Sequence, residues 1–234
     1  MTVSIDYVPT LEETPRNAEV LKQLKTLLRW GDEQFVPPLS ARHSSTQSDL
    51  APHAAAADHA IDDYYRALLE QRFLLAVDDG VDGNGTDGNG TDGNGNTDGN
   101  STDGNSTDGN GSTDGNSTDG NGTDGNGNTD GKRTLAGFMS YRPDYACEYV
   151  DGGVCTYVST ILVAEAYRGA HLTERMYRAL FTLPDVAGTV VATRTWSKNG
   201  AHLHILGEMG FSLIKTLPDD RGPGIDTVYY AKHA

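Results

Sequence analysis

Apolar and polar positions along the chain fall into short blocks of two different periods. Val3 to Tyr7 alternates like a brief strand, and Ala18 to Trp30 carries Val20, Leu21, Leu24, Leu27 and Leu28, the spacing of one helical face. The stretch from Val36 to His53 is rich in Pro, Ser and Ala and predicts a loop with a short turn of helix. Asp58 to Gln71 returns to helical spacing, with Ile61, Tyr64, Tyr65, Leu68 and Leu69 on one side. Arg72 to Val77 and Thr134 to Tyr141 read as strands, and Thr156 to Ala164 is rich in the β-branched residues that strands favour. A helix from about Leu172 to Leu183, a buried strand from Thr189 to Trp196, and a helix from Asn199 to Met209 stopped by Gly210 follow. Two last strands flank the Gly222-Pro223-Gly224 turn. This order predicts an α+β fold, a mixed and mainly antiparallel sheet layered with helices, in a single domain.

One segment has no period of either kind. Asp79 to Gly131 consists of 53 residues built from Gly, Asp, Asn, Thr and Ser with a single Val, repeating TDGNG and TDGNST. It has almost no apolar area to offset the entropy of ordering, so it is expected to be a disordered insertion. The strands predicted on either side make it a lengthened hairpin loop. Going from a few residues to some fifty costs on the order of 2 kcal/mol of closure entropy, which a domain of ordinary stability tolerates. From Asp82, the positions that a calcium-binding EF-hand loop fills with Asp or Asn and then Gly fall on Thr86 and Asp87, so the calcium register fails. Asn-Gly-Thr and Asn-Ser-Thr triplets are formal glycosylation sequons, but no secretory pattern accompanies them.

Composition changes the picture once the tract is set apart. The chain has a formal charge of -15, yet outside the tract 22 acidic side chains face 18 basic ones, a balance of -4. No segment gathers enough Lys and Arg to neutralise a row of phosphates, so no nucleic-acid partner is expected. The longest apolar runs are far short of a membrane span, and the start of the chain lacks a charged-then-apolar leader, so a cytoplasmic protein is expected. Cys147 and Cys155 are too few and too loosely spaced for a zinc site. They read as small side chains in a reducing compartment, with a disulfide across the predicted hairpin as the other option. Arg outnumbers Lys by 12 to 6 and carboxylates crowd the tract, a balance that fits a salt-loving cytoplasm.

Two motifs carry chemistry. The first is Ile161-Leu-Val-Ala-Glu-Ala-Tyr-Arg-Gly-Ala-His-Leu-Thr-Glu-Arg-Met-Tyr177, a strand feeding a tight turn into a helix. Such a turn points unpaired N–H groups and the positive end of the helix dipole at one spot, which suits a pyrophosphate. The second is Asn199-Gly-Ala-His-Leu-His-Ile-Leu-Gly-Glu-Met-Gly-Phe211, a helix opened by Asn and closed by Gly-Phe. Together they resemble the signatures of the GNAT superfamily of acyl-CoA-dependent N-acetyltransferases, over roughly Thr134 to Tyr230, with the N-terminal helices matching only in order.

That resemblance implies a GNAT-like fold using acetyl-CoA as cosubstrate and no metal. Arg168, Gly169, Ala170, His171, Leu172 and Thr173 would wrap the pyrophosphate, the backbone of Ile161, Leu162 and Val163 would pair with the pantetheine arm, and Asn199 would contact that arm. His171 and Thr173 stand where the family usually places Gly, and Leu206 stands where it usually places the Tyr that protonates the departing thiolate. Among substitutes for that acid are His204 and Tyr229, with His202 and Ser197 as further options. Glu165 is placed by the pattern near the reacting end, and restoring Tyr at 206 is expected to raise turnover.

The acceptor end is open to several residues: Tyr141, Asp144, Tyr145 and Glu148 in a predicted turn, Arg194 and Trp196 at a strand end, and Arg221 and Asp226 in the last hairpin. Acidic groups would suit a cationic amine, and Arg194 with Arg221 would suit one bearing a carboxylate. The expected activity is transfer of an acetyl group to an amine by direct attack in a ternary complex, with a homodimer among the open oligomeric states. Two alternatives stand beside it: a non-catalytic ligand-binding or regulatory domain of the same fold, and an interaction protein acting through the acidic tract.

Overall fold

Arg72–Asp78 is almost wholly buried, and it divides the helices between its two faces. The computed structural model of the chain describes residues 2–36, 38–39, 57–80 and 133–234. The elements run β1 (Val3–Val8), α1 (Ala18–Asp32), α2 (Ala57–Leu69), β2 (Arg72–Asp78), β3 (Thr134–Ala146), β4 (Val154–Val163), α3 (Leu172–Phe181), β5 (Val190–Trp196), α4 (Gly200–Glu208), β6 (Ser212–Leu217) and β7 (Thr227–His233). Short 3-10 turns lie at Pro15–Asn17 and Glu165–Tyr167.

Alternation along β2 sets the two layers. Phe73, Leu75 and Val77 pack with Leu24 and Leu28 of α1 and Tyr64 and Leu68 of α2, whereas Leu74 and Ala76 face Met176 and Leu180 of α3. Each fully buried Leu here contributes roughly 1.5–3 kcal/mol by leaving water. Opposite the step from Ala76 to Val77, the pairing jumps from Gly137 to Leu135, so Ala136 is an extra residue in β3. That bulge brings Leu135 and Phe138 onto the same face, under α1 and α2.

The described strands form one sheet in the order β1-β2-β3-β4-β5-β7-β6, antiparallel except for the parallel pair β4–β5. This is the mixed, mainly antiparallel sheet that the sequence order predicts. The parallel pair is short: only Thr156, Tyr157 and Val158 meet Val191, Ala192 and Thr193. Beyond Val158, β4 stays with β3 as far as Val163, while β5 stays with β7 as far as Trp196. The two strands therefore diverge, and the sheet opens into a wedge at its centre.

Gly137 allows β4 to lie so close to β3 at the mouth of that wedge. A Cβ on it would sit 2.6 Å from the Leu162 carbonyl oxygen and 3.1 Å from Val163 Cα, both backbone atoms that cannot step aside.

Strand β3 runs five residues beyond its predicted end at Tyr141. Pro143 reads as a turn signal in sequence, but it sits in a bulge where Arg142 pairs with Tyr157 and Tyr145 with Cys155. Asp144 takes a positive φ of 51° in that bulge, and the true turn spans residues 147–153. The predicted loop from Val36 to His53 and the repeat tract lie outside the described residues, apart from Val36, Pro38, Leu39, Asp79 and Gly80.

Candidate active site

The wedge between β4 and β5 opens into a cavity of about 790 Å³. Its inner walls are residues 159–163 of β4 and 193–196 of β5. Along the first of these, the β4 edge that faces β5 has no strand partner among the described residues. Ser159 Oγ is buried there without a hydrogen-bond partner, a costly state for a hydroxyl unless a ligand or water meets it. Its neighbour Thr160 is satisfied by the Tyr64 hydroxyl of α2, and Thr193 Oγ1 donates to the Val158 carbonyl at 3.1 Å.

At one end of the cavity lies the turn into α3. Gly169 has φ 79° and His171 has φ 55°, so the chain passes twice through the left-handed region before the helix begins. The His171 side chain is swung out into solvent, 3.6 Å from Glu174 Oε2. The N–H groups of Gly169, His171, Leu172 and Thr173 find no acceptor among the described residues, and all four residues line the cavity at the positive end of the α3 dipole. His171 thus adopts the backbone that Gly would supply, at the strain of a non-glycine residue in that region. Arg168 lies over the Trp30 ring at 5.1 Å, and Arg178 clamps Glu174 at 2.6 and 3.0 Å, which holds the Glu174 carboxyl below its usual range.

The second motif forms the flank. Asn199 caps α4, its Oδ1 accepting the His202 N–H at 3.4 Å while its Nδ2 donates to Thr195 Oγ1 at 2.9 Å. The cap thereby ties α4 to the end of β5 that has parted from β4. His202 lines the cavity and its Nε2 meets the Tyr177 hydroxyl at 3.1 Å; burial pushes its imidazole down to about 4, so it is neutral at pH 7. His204 also lines the cavity. Leu206 does not: it is fully buried in the core beneath α3 and α4, with Met176 and Phe211 in the same cluster.

The opposite end is aromatic and cationic. Trp196 packs against Phe35 with ring centroids 5.6 Å apart, and Arg221 lies over the Trp196 ring at 5.8 Å. Arg221 donates from Nε to Thr227 Oγ1 at 2.8 Å and from Nη1 to the Val36 carbonyl at 3.0 Å. Arg194 donates from Nη1 to the Tyr229 hydroxyl at 3.2 Å. Burial, and then the Arg194 charge, lower the Arg221 guanidinium from its ordinary value.

Of the residues singled out from sequence, Ile161, Leu162, Val163, Arg168, Gly169, His171, Leu172, Thr173, Arg194, Trp196, Asn199, His204 and Arg221 all line this one cavity. Five do not. Ala170 is exposed in the turn, its N–H spent on the Tyr167 carbonyl, and Glu165 is exposed on the 3-10 turn that precedes it. Tyr141 is a core residue, fully buried, whose hydroxyl donates to Asp185 Oδ2 at 3.2 Å; Arg72 pairs with the same carboxylate. Asp144 is exposed on the β3 bulge. Tyr229 lines a separate cavity of about 500 Å³ with Tyr145, Cys147 and Tyr149, and reaches the main site only through Arg194.

Trp30, Phe35, Tyr64 and Ser159 line the cavity without having been singled out. Their only sequence signal was membership of an apolar face or a β-branched run. Cys147 and Cys155 are both free and buried, and burial followed by the neighbouring Cys147 thiol pushes Cys155 up to about 12, so it stays protonated. Among the described residues, no cluster of three or more His, Cys, Asp or Glu could hold a metal, and no helix is long and apolar enough to cross a membrane.

The chain is similar to solved structures from the GNAT family. Over 98% of this chain and 99% of the other it matches a GNAT-family protein from Desulfovibrio desulfuricans, at TM-score 0.48 and 13% identity. NAA60 of Arabidopsis thaliana, solved with a bisubstrate analogue, matches over 98% of each chain at TM-score 0.48 and 12% identity. The protein yncA of Salmonella typhimurium, solved with its cofactor acetyl-CoA, matches over 100% of this chain and 94% of the other at TM-score 0.46 and 12% identity. No family model matches the sequence, and no curated protein does.

Proposed function

We propose that this chain, with its GNAT-like fold, is an N-acetyltransferase that moves an acetyl group from acetyl-CoA to an amine by direct attack. The observation that carries this reading is the wedge itself: an unpaired β4 edge running toward four free N–H groups at the start of α3. An extended arm bearing amides would complete the open edge as an added strand, and a pyrophosphate would satisfy the N–H groups. Acetyl-CoA supplies an acetyl group activated as a thioester.

The remaining work falls to this chain's own residues. The β4 edge and the Arg168–Thr173 turn bind and orient, and the aromatic end formed by Trp196 and Phe35 keeps water from the reacting centre. No nucleophilic side chain is required, because the amine attacks directly. With Leu206 in the core, the acid is another group; of the two residues proposed from sequence for that role that line the cavity, His202 is neutral and meets the Tyr177 hydroxyl through Nε2, which leaves His204 as the proposed acid. A thiolate of ordinary pKa also leaves tolerably with water as the proton source, so the loss of Tyr lowers the rate by about 10² to 10⁴ at most.

Leu206 also favours a second reading, in which the domain binds coenzyme A without turning it over. Release of free thiol from acetyl-CoA across a broad amine panel separates the two. The first reading expects amine-dependent release, and the second expects thermal stabilisation by coenzyme A with no release above the buffer rate.

A further inference from the structure

Two guanidinium groups face the same end of the cavity, and neither has a carboxylate within 4 Å among the described residues. Both are half-buried, and a half-desolvated cation with no acid in contact favours an anionic partner. Arg194 uses Nη1 on the neutral Tyr229 hydroxyl, which leaves Nε and Nη2 without a partner among the described residues. Arg221 uses Nε and Nη1 on Thr227 and the Val36 carbonyl, which fixes the plane of its guanidinium and leaves Nη2 spare. None of the acids of the nearby hairpin contacts either guanidinium, and Asp220 reaches Arg221 only across the Thr227 hydroxyl. Asp220 accepts from Thr227 Oγ1 at 2.6 Å, Asp226 accepts the Asp219 N–H at 3.0 Å, and Asp219 accepts the Gly224 N–H at 2.5 Å. Glu174 and Glu208, the two carboxylates that line the cavity, belong to α3 and α4 and not to this end.

We propose that this end is a carboxylate subsite, and that the acceptor is a small amine carrying a carboxylate held by Arg194 and Arg221. The inference rests on the acetyltransferase reading for the word acceptor, but the subsite stands on the arginines alone. Planar guanidinium groups with spare N–H donors match a carboxylate in geometry as well as charge, and each such charge-assisted bond is about twice as strong as a neutral one. Trp196 and Phe35 beside them offer an apolar wall that excludes water from the pair and receives the body of the ligand. A simple diamine or an amine without an anion would instead meet two guanidinium groups, Arg194 with no acid in contact and Arg221 reached by Asp220 only through Thr227.

The test uses product-like probes, so that it does not depend on turnover. N-acetylglycine, N-acetylphenylalanine and N-acetylglutamate, each beside its primary α-amide, are titrated into the full chain in the presence of coenzyme A. At least one carboxylate is expected to bind tenfold or more tightly than its amide. Arg221→Gln, which changes a loop residue and spares the sheet, should abolish that preference. Arg194→Lys should weaken it while keeping the charge, which guards against a misfolded Arg194→Gln. The proposal is overturned if no probe prefers its carboxylate form, or if the preference survives in Arg221→Gln and Arg194→Gln proteins of unchanged fold. Carboxylate preference with no acetyl transfer to any amine would uphold the subsite and count against the acetyltransferase reading, so the two fail separately.

Discussion

Asp78 and Thr134 face each other as the last pair of β2 and β3, although the whole repeat tract lies between them in the sequence. Asp78 is itself anchored, accepting the Tyr167 hydroxyl at 3.0 Å and the Gly80 N–H at 3.2 Å, and Arg133 bonds both Asp6 and Asp79. The strand ends are thus held by contacts that lie outside Asp82 to Asp130. Deleting Asp82 to Asp130 is therefore expected to leave the fold and coenzyme A binding intact, with a stability change under about 3 kcal/mol, since a shorter loop closes at lower entropy cost. Calorimetry on the shortened and parent proteins checks this. A larger loss would make the tract structural.

His171 holds a left-handed backbone with its side chain in solvent, so it can be exchanged for the residue that this backbone prefers. His171→Gly is expected to change stability by no more than about 1 kcal/mol, as relief of strain offsets the greater freedom of the unfolded chain. Coenzyme A should bind it at least as tightly as the parent. His171→Val places a β-branched residue where φ is positive and should cost about 1–2 kcal/mol and weaken the cofactor. Denaturant melts and titrations of both variants distinguish a backbone role for this residue from a side-chain one.

The half-buried His202 gives stability a pH dependence of definite sign. Its folded value of about 4 lies below the unfolded value near 6.5, so the native state resists the proton that the unfolded chain accepts. Its contribution is fully present above about pH 6.5 and is lost as pH falls toward 4, by roughly 2–3 kcal/mol at pH 4.5. His202→Gln should remove that loss, and the difference between the two stability curves over this window measures it. Parallel curves would show that the imidazole is not buried as described.

Leu206→Tyr, attractive from sequence, is not expected to restore an acid. The side chain points into a filled core beside Met176 and Phe211, where extra volume costs about 1–3 kcal/mol. The variant should melt earlier and turn over no faster than the parent, whereas His204→Ala should lower turnover by about tenfold or more if His204 is the acid. A faster Leu206→Tyr enzyme would mean that α4 rotates to present this position to the cavity.

The elements were legible because each has a local signature: β1 alternates, β2 is a short apolar run, α1 and α3 carry one apolar face, and Gly210 ends α4. Local signals failed where long-range pairing decides. Pro143 looks like a turn residue, but the partner strand accommodates it in a bulge. Tyr141 looks like a site residue, yet Asp185, distant in sequence, draws it into the core. The Arg168–Thr173 turn could be read because a strand, a turn and a helix are contiguous. Ser159 could not, because its place beside the cavity depends on the β4–β5 pairing ending at Val158, which no local pattern encodes. Trp30 and Phe35 are apolar positions like many others until the wedge gives them a surface to line.

The central claim, that the turn after β4 and the wedge beside it hold acetyl-CoA, is tested most directly by calorimetric titration of acetyl-CoA into the parent and into Gly169→Pro. Gly169 sits at φ 79° with open space where a side chain would go, so the substitution alters the turn's backbone rather than its packing. The account predicts one-to-one binding by the parent and at least tenfold weaker binding by the variant, with the rest of the fold unchanged in its melting. Equal affinity in the two proteins, or no binding by the parent, would contradict it.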